Sequence, residues 1–248
     1  AGDHCQLPPT LKSPEALRGG LGHTLMERLA KTRPEAVRLL TVQYRMNEEL
    51  MRFSSEWFYE GKLEAAPEVC RRGWMGITDP PLVWIDTGEE NNAQEEFTGT
   101  NYGRINRREA ELTVSALTDY VAHIGKHRLI EERTDFAVIS PYRAQVQYLR
   151  SLLKRQEGLQ PFRNRIAVNT VDAFQGQERD VVLVSLVRAN EAGQIGFLAD
   201  LRRMNVAMTR ARMKLIILGS ARTLCRHGFY RALYERCRVV GQAVDSGG

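Results

Sequence analysis

Cysteine is scarce in this chain of 248 residues, which holds only four. Cys5, Cys70, Cys225 and Cys237 lie far apart and form no Cys-x-x-Cys pair, so neither zinc-site spacing nor a disulfide framework is present. Reduced thiols and a cytoplasmic location are the expectation. No apolar run approaches the roughly 18 residues that a membrane span needs. No signal peptide opens the chain, which begins inside what reads as a motif, so a piece of a longer protein is expected. The carboxylates and the five histidines do not cluster as a nuclease centre requires. The phosphate-loop pattern Gly-x-x-x-x-Gly-Lys-Ser/Thr is absent as well: Gly19-Gly20-Leu21-Gly22-His23-Thr24 has no lysine and the wrong spacing.

What is present is an ordinary globular composition, 43% hydrophobic and 26% charged, long enough for one large α/β domain or one domain with a piece of another. The net charge of +5 and the isoelectric point near 9.1 permit nucleic-acid binding by counterion release without requiring it.

Six runs rich in Val, Ile and Leu read as strands: 39–43, 82–86, 136–140, 166–171, 181–187 and 215–219. Most are continuously apolar, the pattern of strands buried on both faces, which predicts a parallel sheet covered by helices. Asn47 is placed to cap a helix with Leu50, Phe53 and Trp57 on its inner face, ended by Gly61. Asn106 and Glu109 form a capping-box pattern ahead of Val114, Leu117, Val121 and Ile124, with Gly125 as the stop. Further helices are predicted over 143–157, 200–212 and 229–238. Strand alternating with helix predicts an α/β fold. Only about nine residues separate the fourth and fifth strands, so a single helical turn is expected there. Residues 88–103 are polar, acidic and periodless, and read as a mobile surface loop. A short amphipathic helix with Leu21, Leu25 and Leu29 lies within residues 10–37, read as the edge of a preceding domain.

Several polar strings interrupt this apolar background at element ends, where ligands are usually met. Thr209-Arg210-Ala211-Arg212 closes the predicted helix 200–212. There the Arg210 guanidinium would be costly to bury without a partner, and phosphate is well matched to its fork of donors. The alternative is that Arg210 and Arg212 pair with surface carboxylates. Phe174-Gln175-Gly176-Gln177-Glu178 follows a strand: Gly176 allows close backbone approach and Glu178 can accept a ribose hydroxyl, or else Gly176 makes a turn and Glu178 is solvated. Gln6, in Gly2-Asp3-His4-Cys5-Gln6-Leu7-Pro8-Pro9, carries an amide able to sense a γ-phosphate and an attacking water. In Val42-Gln43-Tyr44-Arg45-Met46, Arg45 is a second phosphate fork and Tyr44 either stacks on an adenine face or is a core aromatic. Ser140-Pro141-Tyr142-Arg143 ends the third strand, able to hold a phosphodiester or simply to start a helix. Thr170 and Arg188, at two further strand ends, extend that track.

Taken jointly, GDHCQLPP, VQYRM, ISPY, TVDAFQGQE, SLVRANE and NVAMTRAR resemble the superfamily 1B helicases of the nonsense-mediated-decay, senataxin and immunoglobulin-mu-binding type, from Gly2 to about Ser220. The resemblance implies a second RecA-like lobe (residues 41–240) with the edge of the first (1–40) and a tail (241–248). It also implies a motor that hydrolyses ATP with Mg2+ and moves along single-stranded DNA or RNA. In that likeness Gln6 is the γ-phosphate sensor, Tyr44 the adenine stack, Arg45 and Arg210 the arginine pair and Glu178 the ribose contact. Ser140, Pro141, Tyr142, Thr170 and Arg188 face the nucleic acid. Gln177 stands where the family usually has Arg or Lys. The phosphate loop and the magnesium carboxylate belong to the first lobe, so the chain alone is expected to be inactive, with that upstream lobe as its partner. The alternative from another class is a non-motor nucleic-acid-binding or interaction module with a helicase-like fold. Gln6, Arg45 and Arg210 argue against it, because a pure binding module has no use for phosphate sensors.

Overall fold

A computed structural model describes residues 2–8, 13, 15, 17–22, 24–90, 92–99 and 103–245. Pro9 and the last three residues of the expected tail lie outside them. The centre is a parallel five-stranded sheet in the order β3-β9-β8-β6-β7, with β3 at Leu82–Asp86, β6 at Phe136–Ser140, β7 at Ile166–Thr170, β8 at Arg179–Ser185 and β9 at Ala211–Gly219. Its inner strands are apolar on both faces because both are covered. Ala137 and Ile139, Val182 and Val184, Leu215 and Ile217 pack into one core with Leu50, Phe53, Met204 and Phe229. The alternate residues Phe136 and Val138, Val181 and Leu183, Ile216 and Leu218 pack into a second core with Leu117, Val121, Leu149 and Phe162.

The helices are α1 (Leu25–Thr32), α2 (Glu48–Phe58), α3 (Arg107–Ile124), α4 (Lys126–Glu131), α5 (Arg143–Leu153), α6 (Leu201–Met208), α7 (Ala221–Leu224) and α8 (Gly228–Asp245). Asn47 caps α2 through Glu49 N–H at 2.8 Å, and Asn106 caps α3 through Glu109 N–H at 2.9 Å. Only half of the expected capping box forms: the Asn106 N–H is taken by Gln145 Oε1 at 2.9 Å, while the Glu109 carboxylate turns into the core. The single turn expected between β7 and β8 is the 3₁₀ helix Asp172–Phe174. It serves a longer path than adjacent pairing would need, because β6 lies between those two strands.

Two expectations are corrected. The run 39–43 gives a strand only at β1 (Val42–Gln43), paired with β2 (Glu64–Ala65) outside the central sheet. Its ladder partners end at the carbonyls of Thr41 and Gln43, and Leu40 stays 87% exposed. Residues 88–103 are more than a loop, since they lead into the hairpin β4 (Glu96–Thr98) and β5 (Gly103–Ile105) and bury Ala93 and Glu95. α8 runs to Asp245, through the first residues of the stretch expected as a tail. The amphipathic helix expected within residues 10–37 forms only from Leu25, as α1; Leu21 ends the separate segment Leu17–Leu21, and Leu21, Leu25 and Leu29 are all exposed.

Candidate functional site

The joint between α6 and β9 builds the first half of the site. Asp200 caps α6, and Thr209 ends it by returning its hydroxyl to the Asn205 carbonyl at 2.7 Å. Arg179 N–H takes the Arg210 carbonyl at 2.9 Å, and β9 starts one residue later. Arg210 therefore stands in the junction and not on the helix, as the sequence had suggested. It is 2% exposed. Its guanidinium donates to the carbonyls of Val206 and Gln177 and to the Thr209 hydroxyl, each at 2.9 Å, and to Gln6 Oε1 at 3.5 Å. Among the described residues no carboxylate lies within ion-pair distance of it. Burial, followed by the charge of Arg45, pulls Arg210 down to about 10.

Arg45 is held differently. Its Nε donates to Glu178 Oε2 at 2.6 Å and its Nη1 to the Thr209 carbonyl at 3.0 Å, while Arg72 donates to the Arg45 carbonyl at 2.7 Å. Glu178 Oε1 takes Arg212 at 3.4 Å. Burial opposes ionisation of Glu178, but the hydrogen bond and charge of Arg45, with Arg212 and Arg72, outweigh it and hold the carboxyl below its ordinary range. Arg212 is also paired with Asp180 at 2.9 Å and Asp135 at 3.2 Å. The surface-pair reading thus describes Arg212, and it does not describe Arg210. The stretch Gly176–Glu178 is not at a carboxyl strand end: the chain has returned to the amino end of β8, through Gly176 at φ +81°. Gln177 accepts from Arg179 at 3.1 Å, so a cation stands one side chain away from the position where the family carries one.

Gln6, Arg45, Gly176 and Arg210 line one open cleft of about 500 Å³. Tyr44, 68% exposed, lines an adjoining one of about 490 Å³ that shares Gln6 and Arg45. Tyr44 is therefore not a core aromatic. Asn205, which the sequence reading overlooked, ties the two segments together: fully buried on α6, it donates to the Cys5 carbonyl and to the Tyr59 hydroxyl, both at 2.9 Å. A buried asparagine inside an amphipathic helix was the available signal.

The opposite, carboxyl end of the sheet gathers Ser140, Pro141, Tyr142, Thr170 and Arg188, as expected of a common face. It does not present them equally. Ser140 and Tyr142 are buried, and Pro141 and Thr170 are half-buried. Arg188 is 2% exposed and donates from Nε to Glu95 Oε2 at 2.7 Å; the same oxygen accepts from Ala189 N–H at 3.0 Å and from Asn190 at 3.2 Å. Arg188 is thus corrected from an open contact to a buried ion pair. The backbone before it is strained: Val187 has φ +71°, and Arg188 N–H returns to the Leu186 carbonyl at 2.8 Å, a γ-turn. Glu109 Oε1 holds this turn by accepting Val187 N–H and the Ser185 hydroxyl, both at 2.7 Å. Burial pushes the Glu109 carboxyl up to about 7. Sequence spacing had offered Glu109 only as a helix cap. Arg143, next to Tyr142, is exposed, and so is Phe197, which no motif singled out.

A parallel sheet with a buried arginine junction at one end and strand-end polar residues at the other defines an α/β lobe with a polar cluster at each end of its sheet. The family described as AAA domain matches residues 21–222. DNA-binding protein SMUBP-2 of Mesocricetus auratus is 38% identical over 248 residues, covering 95% of this chain and 23% of that protein. DNA polymerase alpha-associated DNA helicase A of Saccharomyces cerevisiae is 37% identical over 260 residues, covering 96% and 36%. Regulator of nonsense transcripts 1 homolog of Arabidopsis thaliana is 36% identical over 253 residues, covering 97% and 19%. A crystal structure of the C-terminal domain of a possible DNA helicase from Lactobacillus aligns with 72% of the chain at a TM-score of 0.40 and 19% identity. The chain belongs to the AAA domain family. It spans between about a fifth and a third of the length of these curated relatives. Among the described residues no helix is long and apolar enough to cross a membrane.

Proposed function

We propose that this lobe supplies arginines to ATP at the amino end of its sheet and a backbone track to single-stranded nucleic acid at the carboxyl end. The observation that carries the nucleotide half is Arg210, a buried cation with no carboxylate among its hydrogen-bond partners, in the wall of an open cleft. Burying a guanidinium without a counter-charge is unfavourable, and a phosphate entering the cleft provides that charge. Arg45 and Gln6 stand in the same wall, Gln6 as a sensor of the terminal phosphate and Arg45 as the second fork. Tyr44 offers an exposed ring to adenine. Glu178 chiefly orients Arg45, and its remaining lone pairs can accept a ribose hydroxyl. In this donor set Glu178 is engaged by two arginines and Asp3 by the Tyr59 hydroxyl at 2.6 Å, while Asp3, His4 and Cys5 bring their ligand atoms within 4.8 Å of one another. Mg2+ and the phosphate loop belong, in this reading, to the preceding lobe. That lobe would also cover Leu21, Leu25 and Leu29, with residues 1–40 as its edge and 41–240 as the lobe described here.

At the other end Pro141, Arg143 and Thr170 meet the strand, with Ser140, Tyr142 and Arg188 beneath them as support. Bound ATP would supply the phosphoryl group and the energy of its transfer. The residues of this chain place positive charge beside it and keep it placed. The test is ATP hydrolysis with single-stranded DNA and with RNA, measured on this chain alone and on the protein that includes the preceding lobe. The expected result is background turnover for the first and nucleic-acid-stimulated turnover for the second. Robust magnesium-dependent turnover by the chain alone overturns the division of labour.

A further inference from the structure

We propose that Phe197 is a base-stacking platform for single-stranded nucleic acid at the carboxyl end of β8. The inference rests on the reading that this end of the sheet carries the strand. Phe197 lies in the 3₁₀ helix Gly196–Ala199, between β8 and α6, and is 60% exposed. That segment is firmly anchored. Leu198 is buried, its carbonyl accepts from the Tyr230 hydroxyl at 2.8 Å, and Asp200 caps the helix that follows. The core thus has room for a large apolar side chain from this segment and takes the leucine, while the phenyl ring stays in water at a fixed place.

The surroundings of the ring are those of a stacking site. The Tyr142 ring lies 5.7 Å away, tilted by 39°, and the Arg203 guanidinium lies 5.6 Å from the ring centre. Aromatic rings and arginine planes are the two side-chain types on which unpaired bases stack. Gly196 shows that the placement is specific. It has φ +56°, and a Cβ added there would fall 2.1 Å from Arg188 Nη1 and 3.2 Å from the Tyr142 hydroxyl. Glycine lets this segment settle on Arg188 and Tyr142, and that contact sets Phe197 against Tyr142, whose chain neighbours are the half-buried Pro141 and the exposed Arg143. A ring of this kind reads no base edge, so stacking on it is tolerant of sequence.

The test uses an oligothymidylate of about twenty nucleotides, long enough for one site, carrying a 2-aminopurine whose emission falls on stacking. It is titrated at several low salt concentrations against wild type, Phe197→Ala and Phe197→Trp, with an abasic strand of the same length as control. Expected are about tenfold or greater weakening and loss of the emission change in Phe197→Ala, retention in Phe197→Trp, an unchanged salt slope, and equal binding of wild type and Phe197→Ala to the abasic strand. Wild-type binding that falls with salt but is matched by Phe197→Ala overturns the platform, leaves the track standing and gives the ring to a protein contact. Absence of wild-type binding at every salt concentration overturns both.

Discussion

The Glu178 carboxylate stands 2.6 Å from the Nε of Arg45 and fixes the direction in which that guanidinium points. The two residues are 133 positions apart in sequence, and the pairing brings the strand end after β1 to the amino end of β8. Arg210, in the same cleft, is fixed only by neutral groups.

That difference predicts unequal consequences of substitution. In the protein containing both lobes, Arg210→Ala is expected to lower ATP turnover by about three orders of magnitude with a smaller change in nucleotide affinity, as for a transition-state arginine. Arg212→Ala, which removes pairs with Glu178, Asp180 and Asp135, is expected to do much less. Steady-state turnover with single-stranded nucleic acid measures both. Equal and mild losses would return Arg210 to a structural role.

Glu178→Gln is expected to reduce turnover through Arg45, whose fork it orients. The loss should be smaller than for Arg45→Ala, and the double variant should be no worse than Arg45→Ala alone. A double-mutant cycle on turnover checks this, and strict additivity would mean that the carboxylate acts independently.

Arg188 is committed to Glu95, so Arg188→Ala is expected to leave the salt slope of oligonucleotide binding unchanged. It should lower the unfolding midpoint, because the buried Glu95 carboxylate then keeps only Arg104 as a counter-charge and loses its partner at Oε2. Arg143→Ala should flatten the slope by about 0.7, one single-strand phosphate contact. Fluorescence titration over several salt concentrations, with thermal unfolding alongside, separates the two. A flattened slope in Arg188→Ala would show that the strand displaces Glu95.

Glu109 gives a pH signature. Its folded carboxyl keeps the proton up to about 7, against an ordinary value of 4.5, so between these values the folded state binds more protons than the unfolded one. Stability therefore falls as pH rises from 4.5 to about 7, by up to about 3 kcal/mol from this group, and is level on either side. Glu109→Gln should remove that decline. Denaturant unfolding across this pH range is the measurement, and an unchanged decline in the variant would assign it to other groups.

Much of the scaffold is legible in the sequence because burial on both faces leaves unbroken apolar runs. Residues 82–86 and 136–140 are found at their observed bounds, and Asn47 and Asn106 mark their helices. The amino ends of β8 and β9 are not legible. Asp180 and Arg212 are polar there because they pair with each other across the sheet, which no local pattern reveals, while Arg179 donates to Gln177 two residues back. The candidate site divides in the same way. Gln6, Arg45, Gly176 and Arg210, each singled out in its own short string, line one cleft. The burial of Arg188 depends on Glu95, 93 positions away, and on a γ-turn held by Glu109, and neither is written in the short string that contains Arg188.

One strand touches both ends of this division. β8 begins beside Glu178 and leads into the Val187 turn, a span of about 20 Å by strand rise, and it is locked between β6 and β9. Such a strand has no slack: it cannot slide without breaking two ladders. The proposed phosphate cleft beside its first residue and the proposed nucleic-acid face beyond its last are therefore joined by a stiff rod.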